Sequence, residues 1–173
     1  MNQNFLSETE AASMKEDAAA WHRFLNVLDW VLAVQARYAT SLRQSLVCIS
    51  FHDQKTLGDA YGAKDALQMV IELAAKLRKA LRKADLVARN GTDIWVLIPF
   101  VTPKSVMARV AQIVEIAAAN GLNIVDRDIS VYGIPDTDAL ATLSFDGAEE
   151  FLEVVASDKR VAMRWPGVDR RPD

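Results

Sequence analysis

The chain has 173 residues, with 20 Lys and Arg against 23 Asp and Glu, a net charge of −3 and one cysteine. That length fits one domain with a real core, and 51% apolar with 25% charged residues is globular composition that excludes a disordered chain. The acidic balance gives no reason to expect nucleic acid as a partner, the lone Cys48 excludes an internal disulfide, and no run reaches the ~18 apolar residues of a membrane span.

The first residues, "MNQNFLSETEAASMKEDAAA", are polar and acidic. They lack the basic start and apolar centre of a signal peptide, so the expectation is a soluble, cytoplasmic protein. Residues 11–43 read as a helix. Trp21, Leu25, Leu28 and Leu32 form one apolar row, and Phe24, Val27, Val31, Val34 and Tyr38 form a second. A helix apolar on two sides packs either wholly within the monomer or partly on a second copy, and both readings stay open. "SLVCISF", 45–51, reads as a central buried strand with Cys48 as a small buried hydrophobe. Residues 52–62 read as a short helix or loop.

Leu67, Val70, Ile71, Ala74, Leu77 and Leu81 mark an amphipathic helix over 64–83, with Lys76, Arg78, Lys79, Arg82 and Lys83 crowding its end. Asn90-Gly91 between two apolar runs predicts a β-hairpin with strands at 86–89 and 93–98, stopped by Pro99. A helix over 103–119 follows, ended by Asn120-Gly121. Strands at 122–125 and 128–134, a loop from Pro135, a short helix at 146–156 and a last strand at 159–165 complete the pattern. This order predicts an α+β fold, an α/β sandwich: a mixed central sheet of about five strands with a β-hairpin, flanked by helices and preceded by a long N-terminal helix. The expected division is a helical extension over 1–44, a globular domain over 45–165 and a polar tail over 166–173.

"LRKALRKADLVARNGTDIWVLIP" resembles the signature region of GGDEF domains, the diguanylate cyclases. Arg82-Lys83-Ala84-Asp85 stands where the family has its Arg-x-x-Asp element, and Asn90 to Trp95 stands where it has the Gly-Gly-Asp/Glu-Glu-Phe turn. Upstream, "SFHDQKTLGDAYG" is similar to Asp-x-Asp-x-Phe-Lys-x-x-Asn-Asp-x-Tyr-Gly, with Lys55, Asp59, Tyr61 and Gly62 matching. "ISVYGI" resembles the late strand, and the family's entry motif Asp-x-Leu-Thr-Gly-Leu is missing.

The resemblance implies a cyclase that joins two GTP molecules with Mg²⁺ held on hard carboxylate oxygens. It places the first metal carboxylate on Ser50, the second on Asp93 and the next acidic group, which assists the attacking hydroxyl, on Ile94. The second glycine falls on Thr92, and the guanine-reading Asn and Asp fall on Gly58 and Leu67. Ile94 is expected on the turn, against the triphosphate. With Asp93 the retained metal candidate, the expectation is a catalytically inactive module without a bound metal. Mg²⁺ would matter only in a residual cyclase or other nucleotide enzyme, using Asp93 with Asp53.

The Arg-x-x-Asp element implies a cyclic di-GMP site built from Arg82 and Asp85, with Arg89 and Arg109 as further basic groups. Two other readings stay open: Asp85 simply bracing the turn, and a structural domain acting through a protein partner or a homodimer formed by the N-terminal helix. His22 and His52 have no metal-site spacing. The four tryptophans read as core or interface.

Overall fold

The computed structural model describes residues 8–38, 43–51, 62–101, 105–124, 128–134, 144–157 and 163–164. Its elements are α1 (Glu8–Tyr38), β1 (Gln44–Ser50), α2 (Ala63–Ala80), β2 (Leu86–Asn90), β3 (Asp93–Pro99), α3 (Met107–Ala119), β4 (Ile129–Ile134), α4 (Ala148–Ser157) and β5 (Met163–Arg164). The expected short helix or loop at 52–62, except Gly62, and the tail lie outside the described residues. So do His52, Asp53, Lys55, Gly58, Asp59 and Tyr61.

The sheet runs in the order β2-β3-β1-β4-β5, its last strand only two residues long. The sequence pattern predicts a mixed sheet, but all four pairings are antiparallel. Alternating helices and strands do make parallel pairs here: β1 with β2 through α2, and β3 with β4 through α3. Each pair is split by the strand between them, β3 in one case and β1 in the other. Two interleaved β-α-β units therefore yield an antiparallel sheet. A second difference falls at 122–124, predicted as strand but outside regular structure. There Leu122 N–H bonds the Ala117 carbonyl and Gly121 N–H, at φ 78°, bonds that of Ala118, so these residues close the end of α3.

Residues on the sheet alternate between two cores. Val47, Ile49, Val87, Ile94, Val96, Ile98 and Val131 face α2 and α3. Leu46, Cys48, Ala88, Trp95, Leu97, Tyr132 and Ile134 face α1 and α4. The two apolar rows of α1 dock as one broad face: Phe24, Leu28 and Val31 are buried, with Trp21, Leu25, Val27 and Leu32 partly buried beside them. Trp30 and Tyr38 remain exposed. α1 thus forms a layer of the fold, and it begins and ends earlier than the predicted 11–43.

Candidate functional site

The hairpin turn is built from Gly91 and Thr92, one position later than Asn-Gly implies, because Asn90 pairs with Asp93. Gly91 has φ 61° while Thr92 stays out of the left-handed region, the pattern of a turn with glycine at its first central position. This turn fixes the first residue of β3. Asp93 sits opposite Ser50 in the β1–β3 register, and the Ser50 hydroxyl donates to Asp93 Oδ1 at 2.5 Å. Phe51 N–H reaches the Thr92 carbonyl at 3.4 Å and ties the strand end to the turn. Ile94 is not on the turn. As the next residue on β3 it points to the opposite face and is fully buried against α2 and α3. Behind Asp93, burial first and then its negative charge push the Cys48 thiol up, and burial chiefly pushes the Tyr132 hydroxyl up to about 12.

The second cluster lies where α2 meets β2. α2 ends at Ala80, before the predicted 83, so Arg82 and Lys83 stand on the turn that follows it. Asp85 makes that turn: its Oδ2 accepts Arg82 N–H at 3.2 Å, and its own N–H bonds the Arg82 carbonyl at 2.9 Å. The Asp85 carboxylate is nearly buried and pairs with Arg109 Nε at 3.4 Å, while Arg109 Nη1 also donates to Gln112 at 2.9 Å. Arg82 keeps an exposed side chain. Arg89 turns elsewhere, to Asp17 on α1, at 2.7 Å from Nε and 2.6 Å from Nη2, and it also bonds the Gly91 carbonyl. Arg78 approaches the other oxygen of Asp17 at 3.4 Å. The structure therefore joins Arg82, Asp85 and Arg109, and removes Arg89 to a different ion pair.

Comparison with known proteins decides the family. The model of the family described as "Diguanylate cyclase, GGDEF domain" matches residues 23–131, more than half of the chain. The chain belongs to the GGDEF family. No curated relative matches it. Among solved structures it is similar to the FimX GGDEF domain from Pseudomonas aeruginosa, at 16% identity over 76% of this chain and 80% of that one, with a TM-score of 0.50. It is also similar to a sensory box/GGDEF family protein from Caulobacter crescentus, at 23% identity over 74% of this chain and 84% of that one, with a TM-score of 0.48. A further match is the active GGEEF domain of a diguanylate cyclase from Vibrio cholerae, at 12% identity over 65% and 74%, with a TM-score of 0.49.

The GGDEF family implies Mg²⁺ at the end of β1 and the start of β3, and the residues there do not fit it. A magnesium ion needs several hard oxygen acceptors. This pair offers one carboxylate, already bonded by a neutral hydroxyl that brings no charge. Among the described residues no group of three His, Cys, Asp or Glu could hold a metal. Leu67, at the position of a guanine-reading carboxylate, is exposed and has no polar atom to offer. Sequence reasoning missed Asp17. It carried a signal, since it shares a helical face with Phe24 and Leu28, where a charge must be paired. Among the described residues no helix is long and apolar enough to cross a membrane.

Proposed function

We propose that this GGDEF domain is catalytically inactive and serves as a regulatory module that works by binding. The observation that carries the reading is the Ser50–Asp93 hydrogen bond. Where a cyclase needs two carboxylates converging on a metal, this chain has one carboxylate and a hydroxyl that satisfies it. The burial of Ile94 supports the same reading, because that position presents nothing to a ligand. Trp30 and Tyr38, more than 60% exposed on α1, are the surface through which a protein partner or a second copy would dock.

Incubation of the chain with GTP and Mg²⁺ or Mn²⁺, with products resolved by chromatography, tests the reading. No cyclic di-GMP above the protein-free control is expected. Turnover that disappears in Asp93→Ala overturns it and favours a residual cyclase.

Binding of cyclic di-GMP is a second reading, favoured by the exposed Arg82 beside Lys83. It requires Asp85 to exchange Arg109 for a guanine edge. Calorimetric titration with cyclic di-GMP, repeated on Arg82→Ala, decides it: heat lost in the variant supports this ligand, and no heat removes it.

A further inference from the structure

α1 docks along most of its length, but the stripe it docks with changes character half-way. At steps of three and four residues the stripe reads Glu10, Ser13, Asp17 and Ala20, then Phe24, Leu28 and Val31. The second half buries apolar side chains, and Trp21 stacks on Phe24 where that half begins. The first half buries only a carboxylate and a methyl group, and its one large apolar side chain, Met14, is half exposed. The family match begins at residue 23, close to the same boundary. Asp17 is what holds the first half down. Arg89 on β2 donates to its Oδ2 from Nε at 2.7 Å and pairs through Nη2 at 2.6 Å, and Arg78 on α2 donates to its Oδ1 at 3.4 and 3.5 Å. The grip on Arg78 is long, and Arg78 Nε stays buried without a hydrogen-bond partner.

We propose that the first three turns of α1 are an autoinhibitory strap, latched by Asp17, that opens while the rest of the domain stays folded. The bland account is that Asp17 belongs to an ordinary permanent layer. A permanent layer would carry apolar residues at 10, 13 and 17, as it does at 24, 28 and 31, because buried apolar area is what makes docking hard to reverse. Here opening breaks the Asp17 pairs, exposes little apolar surface and relieves the unsatisfied Arg78 Nε. The strap unwinds from its N-terminal side, and the apolar stripe from Phe24 onward stops the unwinding. Opening strips Arg78 and Arg89, which stand on different elements, of their shared counter-charge. Closed, the corner between α2 and β2 is partly neutralised. Open, it presents two bare guanidiniums and attracts acidic partners more strongly. This regulates the binding role proposed above. The strap uses neither Ser50 nor Asp93, so its failure would leave the proposed inactivity untouched, and the reverse holds.

Native-state hydrogen exchange of the full chain tests the strap, read by mass spectrometry on peptides over 8–19 and 24–38 at rising sub-denaturing urea. In the natural chain, 8–19 is expected to exchange at least about tenfold faster than 24–38, through an opening that depends little on urea because it exposes little surface. Asp17→Asn should speed 8–19 by at least a further tenfold, as expected for a broken buried pair, and leave 24–38 within about twofold. Arg78→Gln/Arg89→Gln removes the other side of the latch and should give the same confined effect. Exchange of both peptides together through global unfolding in the natural chain would overturn the proposal. So would an equal effect of Asp17→Asn on both peptides, no effect on either, or an Asp17→Asn chain that does not fold.

Discussion

Ser50 and Asp93 face each other across β1 and β3, and the serine hydroxyl donates to the aspartate at 2.5 Å. On the proposed reading of an inactive domain, this hydrogen bond stands where a cyclase would hold a metal between two carboxylates. It predicts that Mg²⁺ or Mn²⁺ will not raise the unfolding midpoint. Ser50→Asp should behave in the opposite way. Two carboxylates directly opposite on a sheet repel, which costs up to about 1 kcal/mol in the presence of a chelator. Added Mn²⁺ should then restore stability in the variant alone. Equal metal shifts in both proteins would contradict the account.

Ile94 is fully buried between the sheet and α2 and α3. Ile94→Glu, which would rewrite the turn toward the family signature, is therefore expected to place a charge in the core. Urea unfolding should show a loss of about 4 kcal/mol or more, the range of an unpaired buried charge. A stable variant that gains activity would show that this side chain faces the ligand.

Asp17, 3% exposed, holds Arg89 at 2.6 Å and Arg78 at 3.4 Å, so it ties α1 to β2 and α2. Asp17→Asn leaves two partly buried guanidiniums without their counter-charge. The expected cost is about 3 kcal/mol, at the low end for a broken buried pair because both arginines keep some contact with water. A double-mutant cycle with Arg89→Met should return a coupling above about 1 kcal/mol. Additive effects would mean that the pair does not hold α1 in place.

Tyr132 has its hydroxyl pushed from 10.0 up to about 12, mainly by burial, with the Cys48 and Asp93 side chains adding to it and Ser130 opposing. The folded state thus favours the neutral phenol. The stability it contributes is complete below about pH 10 and is lost as the pH rises from there through about 12. Unfolding midpoints for the natural chain and Tyr132→Phe should run parallel below pH 10, and the natural chain alone should fall more steeply above it. Cys48, raised by the same burial, should resist thiol reagents at neutral pH until the chain unfolds.

The elements with strong periodicity were legible in the sequence. The run at 45–51, the amphipathic pattern from 64 and the apolar pair around Asn90-Gly91 each became the expected helix or strand, within a few residues at the ends. Residues 122–124 were read as strand because Leu122 and Ile124 are buried as a β pattern suggests, yet Leu122 N–H closes the end of α3 and both side chains join the core beneath it. Strand direction was not legible, because alternation along the chain cannot say which strand will insert between two others. In the site, the identities at Ser50, Asp93 and Ile94 could be read by position. The facing of Ile94 could not be read from the family signature, which put it on the turn, whereas it is the second residue of β3 and faces away from Asp93. Nor could the partners of Arg89 and Asp85, which are set by contacts 72 and 24 residues away in sequence.

The central claim concerns what sits between β1 and β3, and a crystal soaked with a non-hydrolysable GTP analogue and Mn²⁺ tests it most directly. The account predicts that the serine hydroxyl stays on the aspartate, with no anomalous metal signal at the strand ends. Two manganese peaks beside Asp93, bridged to a triphosphate, would contradict it.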